Sequence, residues 1–361
     1  PRSGVQSFFA PGYVGSSSSS CPSMATQADW ESWFTGRIDF TQAVSCASTL
    51  GVHAAQLLPY PVKPLRILVG FSPGGASDIT TRIIGQKLSE AFGQPVVTDN
   101  RAGASGAIAA RIVKDAPPDG YTLLSGATSI LAINPAMMAK LGYNSIRDFT
   151  PVSQTVSMPQ VLVVHPAVKA ASLKELIALA KARPGELNYS SSGSGSSSHL
   201  AIELLKFITG INLVHVPFKG SGQSMPALLA GQVQMIFDPL PTSLPHVKSG
   251  KARIIAVNEP KRTHLMPEVP TVIESGVPDF TVGVSIGFVA PTGTPPDIIE
   301  KINKLIVDMV REPAVQKRFL EMGIQARGST PEELGRQQRR MRRPVDLRRQ
   351  EKSGLDERRP P

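Results

Sequence analysis

The stretch LRILVGFSPGGASDITTRIIGQKL, residues 65–88, sets out a strand, a loop and a helix in direct succession. Mostly apolar residues over 65–69 predict a buried strand, and apolar residues at helical spacing over 78–92 predict an amphipathic helix. Gly74 and Gly75 allow a tight turn and the close approach of a ligand to backbone N–H groups. Free N–H groups at a helix N-terminus attract anions, so this loop is either a phosphate or carboxylate site or an ordinary strand-to-helix turn.

Two further loops follow the same plan. The segment 187–208, LNYSSSGSGSSSHLAIELLKFI, leads from a short strand through serines and glycines into an apolar helical stripe. In isolation such a run is typical of a flexible linker, but its place between a strand and a helix favours a second anion-binding loop. The segment 98–114 is either a third such loop or a structural turn, and its candidate cleft residues are Asn100, Gly103, Ser105 and Gly106. Two anion-binding loops from opposite halves of the chain could hold a ligand with two acidic ends.

Strand-like and helix-like segments alternate over residues 57–326. The predicted strands are 65–69, 95–98, 122–125, 160–165, 187–190, 212–217, 233–237, 253–257 and 286–290. The predicted helices are 78–92, 106–114, 173–183, 199–209, 224–230, 296–311 and 313–322. This alternation favours parallel sheets built from βαβ units, and 361 residues suffice for two domains. We therefore predict two doubly wound α/β domains with a ligand cleft between them.

The predicted domains are discontinuous. Domain 1 comprises 57–155 plus 286–330 and domain 2 comprises 156–285, with crossings near 153–161 and 281–286. Residues 1–56 read as a disordered extension with a degenerate secretory signal, whose weakly apolar run is 43–52. Residues 331–361 are Arg-rich with almost no apolar periodicity, so we expect a disordered basic tail. Both ends would also suit a non-functional remnant with altered termini.

The net charge of +10 would suit a nucleic-acid-binding protein, but its distribution argues against one. Residues 327–361 hold 11 Lys and Arg against 6 Asp and Glu, so the basic excess is concentrated in the tail. The chain has two cysteines, no HExxH pair, no phosphate loop and no GxGxxG motif. We therefore expect no metal, no cofactor and no nucleic-acid partner. No uncharged apolar run approaches the roughly 18 residues of a membrane span.

A catalytic alternative stays open at this point. Ser196, His199 and Asp238 would supply the residue types of a hydrolase triad, although the sequence lacks a GxSxG motif. A helix-capping or core histidine is the simpler explanation for His199. Asp238 follows an apolar strand, which is where cleft residues lie in such sheets.

Eight motifs, together spanning about residues 60–331, resemble those of the tripartite tricarboxylate transporter receptors, also called Bug proteins. They are FSPGGASD at 71–78, the loop 100–106, DGYTLL at 119–124, the serine-rich loop 191–200, VPFKG at 216–220, GQVQMIFD at 231–238, PEVPT at 267–271 and APTGTP at 290–295. Each motif is weak alone, and their shared order makes the resemblance specific.

The resemblance implies a periplasmic solute-binding protein, similar to type II periplasmic binding proteins, that has no enzymatic activity. Its two domains would close on a small organic acid: a di- or tricarboxylate, an acidic amino acid or an aromatic acid. It would need no cofactor, act as a monomer and deliver its ligand to membrane permease subunits or serve a sensor. Carried over by motif, the ligand-binding residues would be Ser72, Gly74, Gly75, Asp78, Ser192, Ser196 and Asp238, with Thr128 and Ser129 as wall residues.

Overall fold

The computed structural model describes residues 60–280 and 282–342, in which strands and helices alternate around two β-sheets. Elements of the first part are β1 Leu65–Val69, α1 Ala76–Phe92, β2 Val96–Asn100, α2 Ala107–Lys114, β3 Thr122–Ala127, α3 Asn134–Met137 and β4 Phe149–Met158. The middle part comprises β5 Gln160–Val164, α4 Leu173–Ala182, β6 Asn188–Ser191, α5 Ser197–Thr209, β7 Val214–Pro217, α6 Ser221–Leu229, β8 Met235–Pro239, α7 Leu240–Lys248 and β9 Arg253–Asn258. The last part comprises β10 Val284–Pro291, α8 Pro296–Arg311, α9 Pro313–Glu321, β11 Gln325–Ala326 and α10 Pro331–Arg342. The predicted leader lies outside the described residues, as do the tail beyond 342 and residue 281.

The first sheet has six strands in the order β11-β4-β10-β3-β1-β2 and forms, with its helices, what we call the first lobe. The second sheet has five strands in the order β7-β6-β8-β5-β9 and forms the second lobe. Fully buried Ile67, Phe288 and Phe319 lie in the core of the first lobe. The second lobe has apolar cores around Tyr189 and around Ile236. Each lobe thus buries its own core, as expected for two doubly wound α/β domains.

Each sheet contains strands that run against the rest, so the prediction of wholly parallel sheets was wrong in this detail. β5 pairs antiparallel with β8 and β9, and β10 pairs antiparallel with β3 and β4. These antiparallel strands follow from the points at which the chain crosses from one lobe to the other. β4 ends at Met158 beside the other lobe and β5 starts there at Gln160, so β5 must run away from the cleft. The same holds for β10, which is reached from the end of β9.

The second crossover is fastened to the second lobe by one buried side chain. Asn258, the last residue of β9, donates from Nδ2 to the Val282 carbonyl at 3.1 Å and accepts at Oδ1 from the Val282 N–H at 3.1 Å. Both hydrogen bonds resemble those of a strand pair. The path of the chain back to the first lobe is therefore fixed at Val282.

The start of the expected disordered tail is a helix. α10 packs Leu334 against Gly287 of β10, and Leu334 and Gln338 are buried. Met341 lies one turn further along the same face and is half-buried. Spacings of four and three residues are helical, but only two of these residues are apolar, which is why the pattern escaped the sequence analysis. The prediction of disorder was wrong for 331–342.

Candidate functional site

The two lobes enclose a small cavity between the ends of their strands. Its volume is about 40 Å³. By that measure one water molecule needs roughly 10–15 Å³, so the space holds only a few. The first lobe contributes Phe71, Gly75, Ala76, Ser77, Ala127, Thr128, Ser129 and Val284, and the second contributes Ser192, Ser196, Ser197, Ser221 and Pro239. Both lobes must be present to form the site.

Three helices point their N-termini at this cavity. The lining residues Ala76, Ser197 and Ser221 are the first residues of α1, α5 and α6. The N–H groups of a first helical turn have no partner within the helix, and the aligned peptide dipoles give that end a partial positive charge. Among the described residues that line the cavity, none carries a charge. The arrangement therefore favours an anion through backbone dipoles and hydroxyl groups.

The first-lobe loop is held in shape by Asp78. Its carboxylate accepts a hydrogen bond from the Gly74 N–H at 3.0 Å and pairs with Arg82 at 3.0 Å. Burial acts to raise the pKa of Asp78, but the hydrogen bonds from Arg82, Gly74 and Asn100 outweigh it and lower that pKa. Gly74 has a left-handed φ of 77°, which suits glycine. The charge of Asp78 therefore stabilises the loop, and Asp78 does not line the cavity.

The serine-rich loop of the second lobe is tied down by its own hydroxyls. Ser196 caps α5, since its Oγ accepts from the His199 N–H at 3.2 Å. The Ser198 hydroxyl accepts from the Ser192 N–H at 2.9 Å and lies 2.9 Å from the Ser196 hydroxyl. Behind the loop, buried Gln160 donates from Nε2 to the Ser197 hydroxyl at 3.2 Å. The serines form a network and not a flexible linker.

Direct backbone contacts close the lobes over the cavity. The Ser72 N–H donates to the Lys219 carbonyl at 2.9 Å. A Cβ on Gly222 would lie 2.0 Å from the Pro73 carbonyl oxygen, and one on Gly220 would lie 2.6 Å from Ser72 Oγ. Only glycine at 220 and 222 allows this approach. Ser72 itself is buried in the contact, and its hydroxyl has no hydrogen-bond partner there.

Asp238, at the end of β8, is fully buried behind the cavity wall. Its Oδ2 accepts hydrogen bonds from the hydroxyls of Thr242 and Ser243, the latter at 2.9 Å. Burial raises the pKa of Asp238 to about 6, although hydrogen bonds from Ser221, Thr242 and Ser243 oppose that rise. Its carboxyl therefore changes charge near pH 6.

The three residues of the catalytic alternative do not form a triad. The His199 ring accepts at Nδ1 from the Gly195 N–H at 3.3 Å and lies against the His215 ring, with centroids 4.2 Å apart. Burial is the main cause that lowers the pKa of both histidines, that of His215 to about 4. His215 Nε2 lies 2.6 Å from the Ser191 hydroxyl at the start of the serine loop. The histidines thus support that loop from behind.

The structure brings five of the nine predicted site residues to the cavity wall: Gly75, Thr128, Ser129, Ser192 and Ser196. Ser72 lies in the lobe contact, Gly74 is exposed on the loop, and Asp78 and Asp238 are buried behind the wall. Ser197, Ser221 and Gln160 were missed. The signal for Ser221 was its place after the glycine that ends VPFKG, which repeats the strand–glycine–helix plan. Gln160 gave no signal, because its partner Ser197 lies 37 positions away.

Other kinds of site are not seen in residues 60–280 and 282–342. Within those ranges no cluster of three or more His, Cys, Asp or Glu side chains is arranged to hold a metal ion. No helix there has the length and apolar character of a membrane span.

Comparison with known proteins shows the family. The family model of the tripartite tricarboxylate transporter family receptors matches residues 80–338. The chain is 38% identical to Protein BugT of Bordetella pertussis over 275 residues, 76% of this chain and 84% of that protein.

Solved structures agree with this finding. An R. palustris protein with adipate is 35% identical with a TM-score of 0.77, covering 81% of this chain and 96% of that one. MatC from Rhodopseudomonas palustris with bound malate is 30% identical with a TM-score of 0.76, covering 78% and 97%. The periplasmic binding protein BugD is 30% identical with a TM-score of 0.76, covering 78% and 95%. This chain belongs to the tripartite tricarboxylate transporter receptor family.

Proposed function

We propose that the protein is an extracytoplasmic receptor that captures a small organic acid between its two lobes. The observation that carries this proposal is the convergence of three helix N-termini on a cavity whose described wall has no charged side chain. A carboxylate fits such a site, because N–H groups and hydroxyls can surround it without an ion pair. Two of the similar solved proteins hold adipate and malate, which supports a dicarboxylate as the ligand of this chain.

The proposed ligand contacts come from both lobes. In the first lobe they are the backbone at Gly75 and the N–H groups of Ala76 and Ser77, with Thr128 and Ser129 as a wall. In the second they are the hydroxyls of Ser192, Ser196, Ser197 and Ser221. The proposed domains are 57–155 plus 286–330 and 156–285, and they close about the crossovers at Pro159 and 259–283. A ligand that touches both domains stabilises the closed state.

The remaining parts of the proposal follow from the family and from the site. The protein works in the periplasm, as BugD does, and passes its ligand to permease subunits or to a sensor. It carries out no reaction: the Ser196 hydroxyl pairs with the His199 N–H and the Ser198 hydroxyl, and the His199 ring accepts from the Gly195 N–H instead of from Ser196.

A thermal-shift screen of the full chain tests the proposal. The panel holds adipate, malate, citrate, glutamate and benzoate, each followed by recovery of the acid and analysis by mass spectrometry. A ligand at 100 times its Kd adds about 2.7 kcal/mol to stability, a shift of several degrees. We expect a shift with at least one acid, recovered unchanged.

A matched pair of glycine variants completes the test. Gly75→Val places a branched side chain at the N-cap of α1 and should abolish the shift while the protein still melts cooperatively. Gly335→Ala lies in α10, outside the cavity wall and the crossovers, and its added methyl group meets no atom closer than 3.5 Å, so the shift should remain. A cooperative melt with no shift for any acid would contradict the proposal, and so would conversion of an acid to product.

A further inference from the structure

Asp238 has one carboxylate oxygen that is poorly satisfied by hydrogen bonds. Its side chain is fully buried, and its Oδ1 makes no hydrogen bond of normal geometry. A buried carboxylate oxygen without a partner is costly, since transfer from water is repaid only by hydrogen bonds or an opposite charge. Native proteins retain few such groups, so this one calls for an explanation.

The local sequence explains why donors are scarce. Asp238 stands at the start of α7, where backbone N–H groups usually surround an acidic side chain. Here the following residues include Pro239 and Pro241, which have no N–H, and the Leu240 N–H donates to the Pro159 carbonyl instead. The carboxyl therefore depends on hydroxyl groups alone.

One of those hydroxyls belongs to the cavity wall. Ser221 lines the cavity, and its hydroxyl is close enough to the Asp238 carboxyl to favour the charged form. A hydroxyl has one proton to donate. While Asp238 is charged, Ser221 directs that proton at Asp238 and presents only lone pairs to the cavity. Once Asp238 is protonated it can donate to Ser221, which frees the Ser221 proton for an anionic ligand.

The negative charge of an ionised Asp238 also disfavours the binding of an anionic ligand. Every neighbour that meets the carboxyl is uncharged: Ser221 from α6, Thr242 and Ser243 from α7, and Val161 opposite it on β5. No described cation compensates it. A negative charge one side chain away from a bound carboxylate raises the free energy of the complex, because burial leaves the repulsion weakly screened.

We propose that Asp238 is a positioning residue that couples capture of an organic acid to the uptake of one proton, acting through the Ser221 hydroxyl. This inference rests on the proposed receptor function and adds a proton to its binding step. The neutral carboxyl orients Ser221 as a donor toward the ligand, and the ionised carboxyl opposes the ligand. Since the pKa of Asp238 is about 6 before ligand binds, binding at pH 7.5 draws the proton from solution.

Isothermal titration calorimetry of the full chain tests the coupling. Adipate and malate are titrated between pH 6.5 and 8.5, where both acids are ionised, so that the ligand itself contributes no proton step. The Kd of the wild type should rise roughly tenfold for each pH unit above about 7. At pH 7.5, titrations in two buffers with different ionisation enthalpies should give close to one proton taken up per ligand.

Two variants separate the roles of charge and structure. Asp238→Asn is neutral at every pH, still accepts from Thr242 and Ser243, and can donate to Ser221, so its Kd should stay constant across the range. Glu312→Gln is the matched control, since it also removes one carboxylate but lies in an exposed ion pair with Lys87 and does not line the cavity. It should keep the pH dependence of the wild type.

The outcomes are distinguishable. A wild-type Kd that is constant from pH 6.5 to 8.5 with no proton uptake would overturn the coupling and leave the receptor intact. A Kd that falls as pH rises would overturn it too, because the ionised carboxyl would then favour the complex. Binding of neither acid, nor of any other acid of the thermal-shift panel, to wild type or Asp238→Asn at any pH would overturn both proposals.

Discussion

The hydroxyl of Ser105 in the first lobe donates a hydrogen bond to the Ser194 carbonyl of the second lobe, with 2.6 Å between the two oxygens. Ser105 has a φ of 50°, a left-handed conformation that is uncommon for a residue other than glycine. Such backbone strain costs on the order of 1–3 kcal/mol and persists where it serves a function. Here the strained residue reaches across the cleft, and its hydrogen bond joins the two lobes.

Removing the Ser105 hydroxyl should weaken ligand binding without unfolding the protein. In Ser105→Ala the lost hydrogen bond is worth about 1 kcal/mol, which predicts a roughly fivefold higher Kd by calorimetry. Ser105→Gly should raise the Kd similarly and also raise the melting temperature, because glycine adopts this φ without strain. Ser89→Ala loses a hydrogen bond to the Gln94 carbonyl away from the cleft and should leave the Kd unchanged. An unchanged Kd in both Ser105 variants would contradict a role in closure.

The contact between Gly222 and Pro73 predicts a variant that folds but does not close. Gly222→Ala adds a methyl group that would lie 2.0 Å from the Pro73 carbonyl oxygen. Gly222 lies in the first turn of α6, where alanine favours the helix, so the melting temperature should hold or rise. We expect the Kd to rise at least tenfold. Binding as tight as in the wild type would show that ligand capture does not need this contact.

The buried Asp238 carboxyl predicts a pH dependence of stability. Its pKa is about 6 in the folded protein against an ordinary value of 3.8 for an aspartate, so ionisation opposes folding. The sign follows: this group costs nothing below about pH 4, and the cost grows as pH rises through 6 to about 3 kcal/mol. Urea denaturation at pH 4, 5, 6 and 7 should show the wild type losing stability relative to Asp238→Asn over that range. Parallel curves for the two proteins would contradict the raised pKa.

Helix α10 should contribute to the stability of the first lobe despite its Arg-rich sequence. Leu334→Ala removes a buried side chain that packs on Gly287 and should lower the free energy of unfolding by about 2–5 kcal/mol in urea. Arg336→Ala, an exposed position on the same helix, should change it by less than about 0.5 kcal/mol. Equal stability of the two variants would place the helix outside the folded unit.

Much of the fold follows from local patterns in the sequence. Strands β1 and β3 and helices α1 and α8 have apolar residues at the right spacing, and glycines mark the turns between them. β4 was missed because Pro151, Ser153 and Thr155 break its pattern. Those hydroxyls are satisfied far along the chain, Ser153 by the Ser329 carbonyl at 2.9 Å and Thr155 by the Ile286 carbonyl at 3.0 Å. A buried strand with polar side chains is stable only when distant parts of the chain supply hydrogen-bond partners. Sequence alone therefore favours a loop there.

In the candidate site, too, local patterns could be predicted from the sequence and long-range contacts could not. Ser192 and Ser196 were predicted from the family resemblance of the serine-rich loop, and Ser129 as a wall residue after the strand that ends at 126. Helix α7 was missed because LPTSLPHVK contains two prolines, and its start explains the setting of Asp238. The prediction that Asp78 touches the ligand did not anticipate its ion pair with Arg82. That pairing depends on side-chain directions, which spacing does not determine.

The narrowness of the cavity has a kinetic consequence. A six-carbon diacid cannot pass between Gly222 and Pro73 while they touch, so entry must wait for the lobes to part. At low concentration the observed association rate then grows with ligand concentration. At high concentration it levels off at the rate of lobe opening, whichever acid is supplied. Release passes through the same step, so the lifetime of the complex is set by how often the lobes separate.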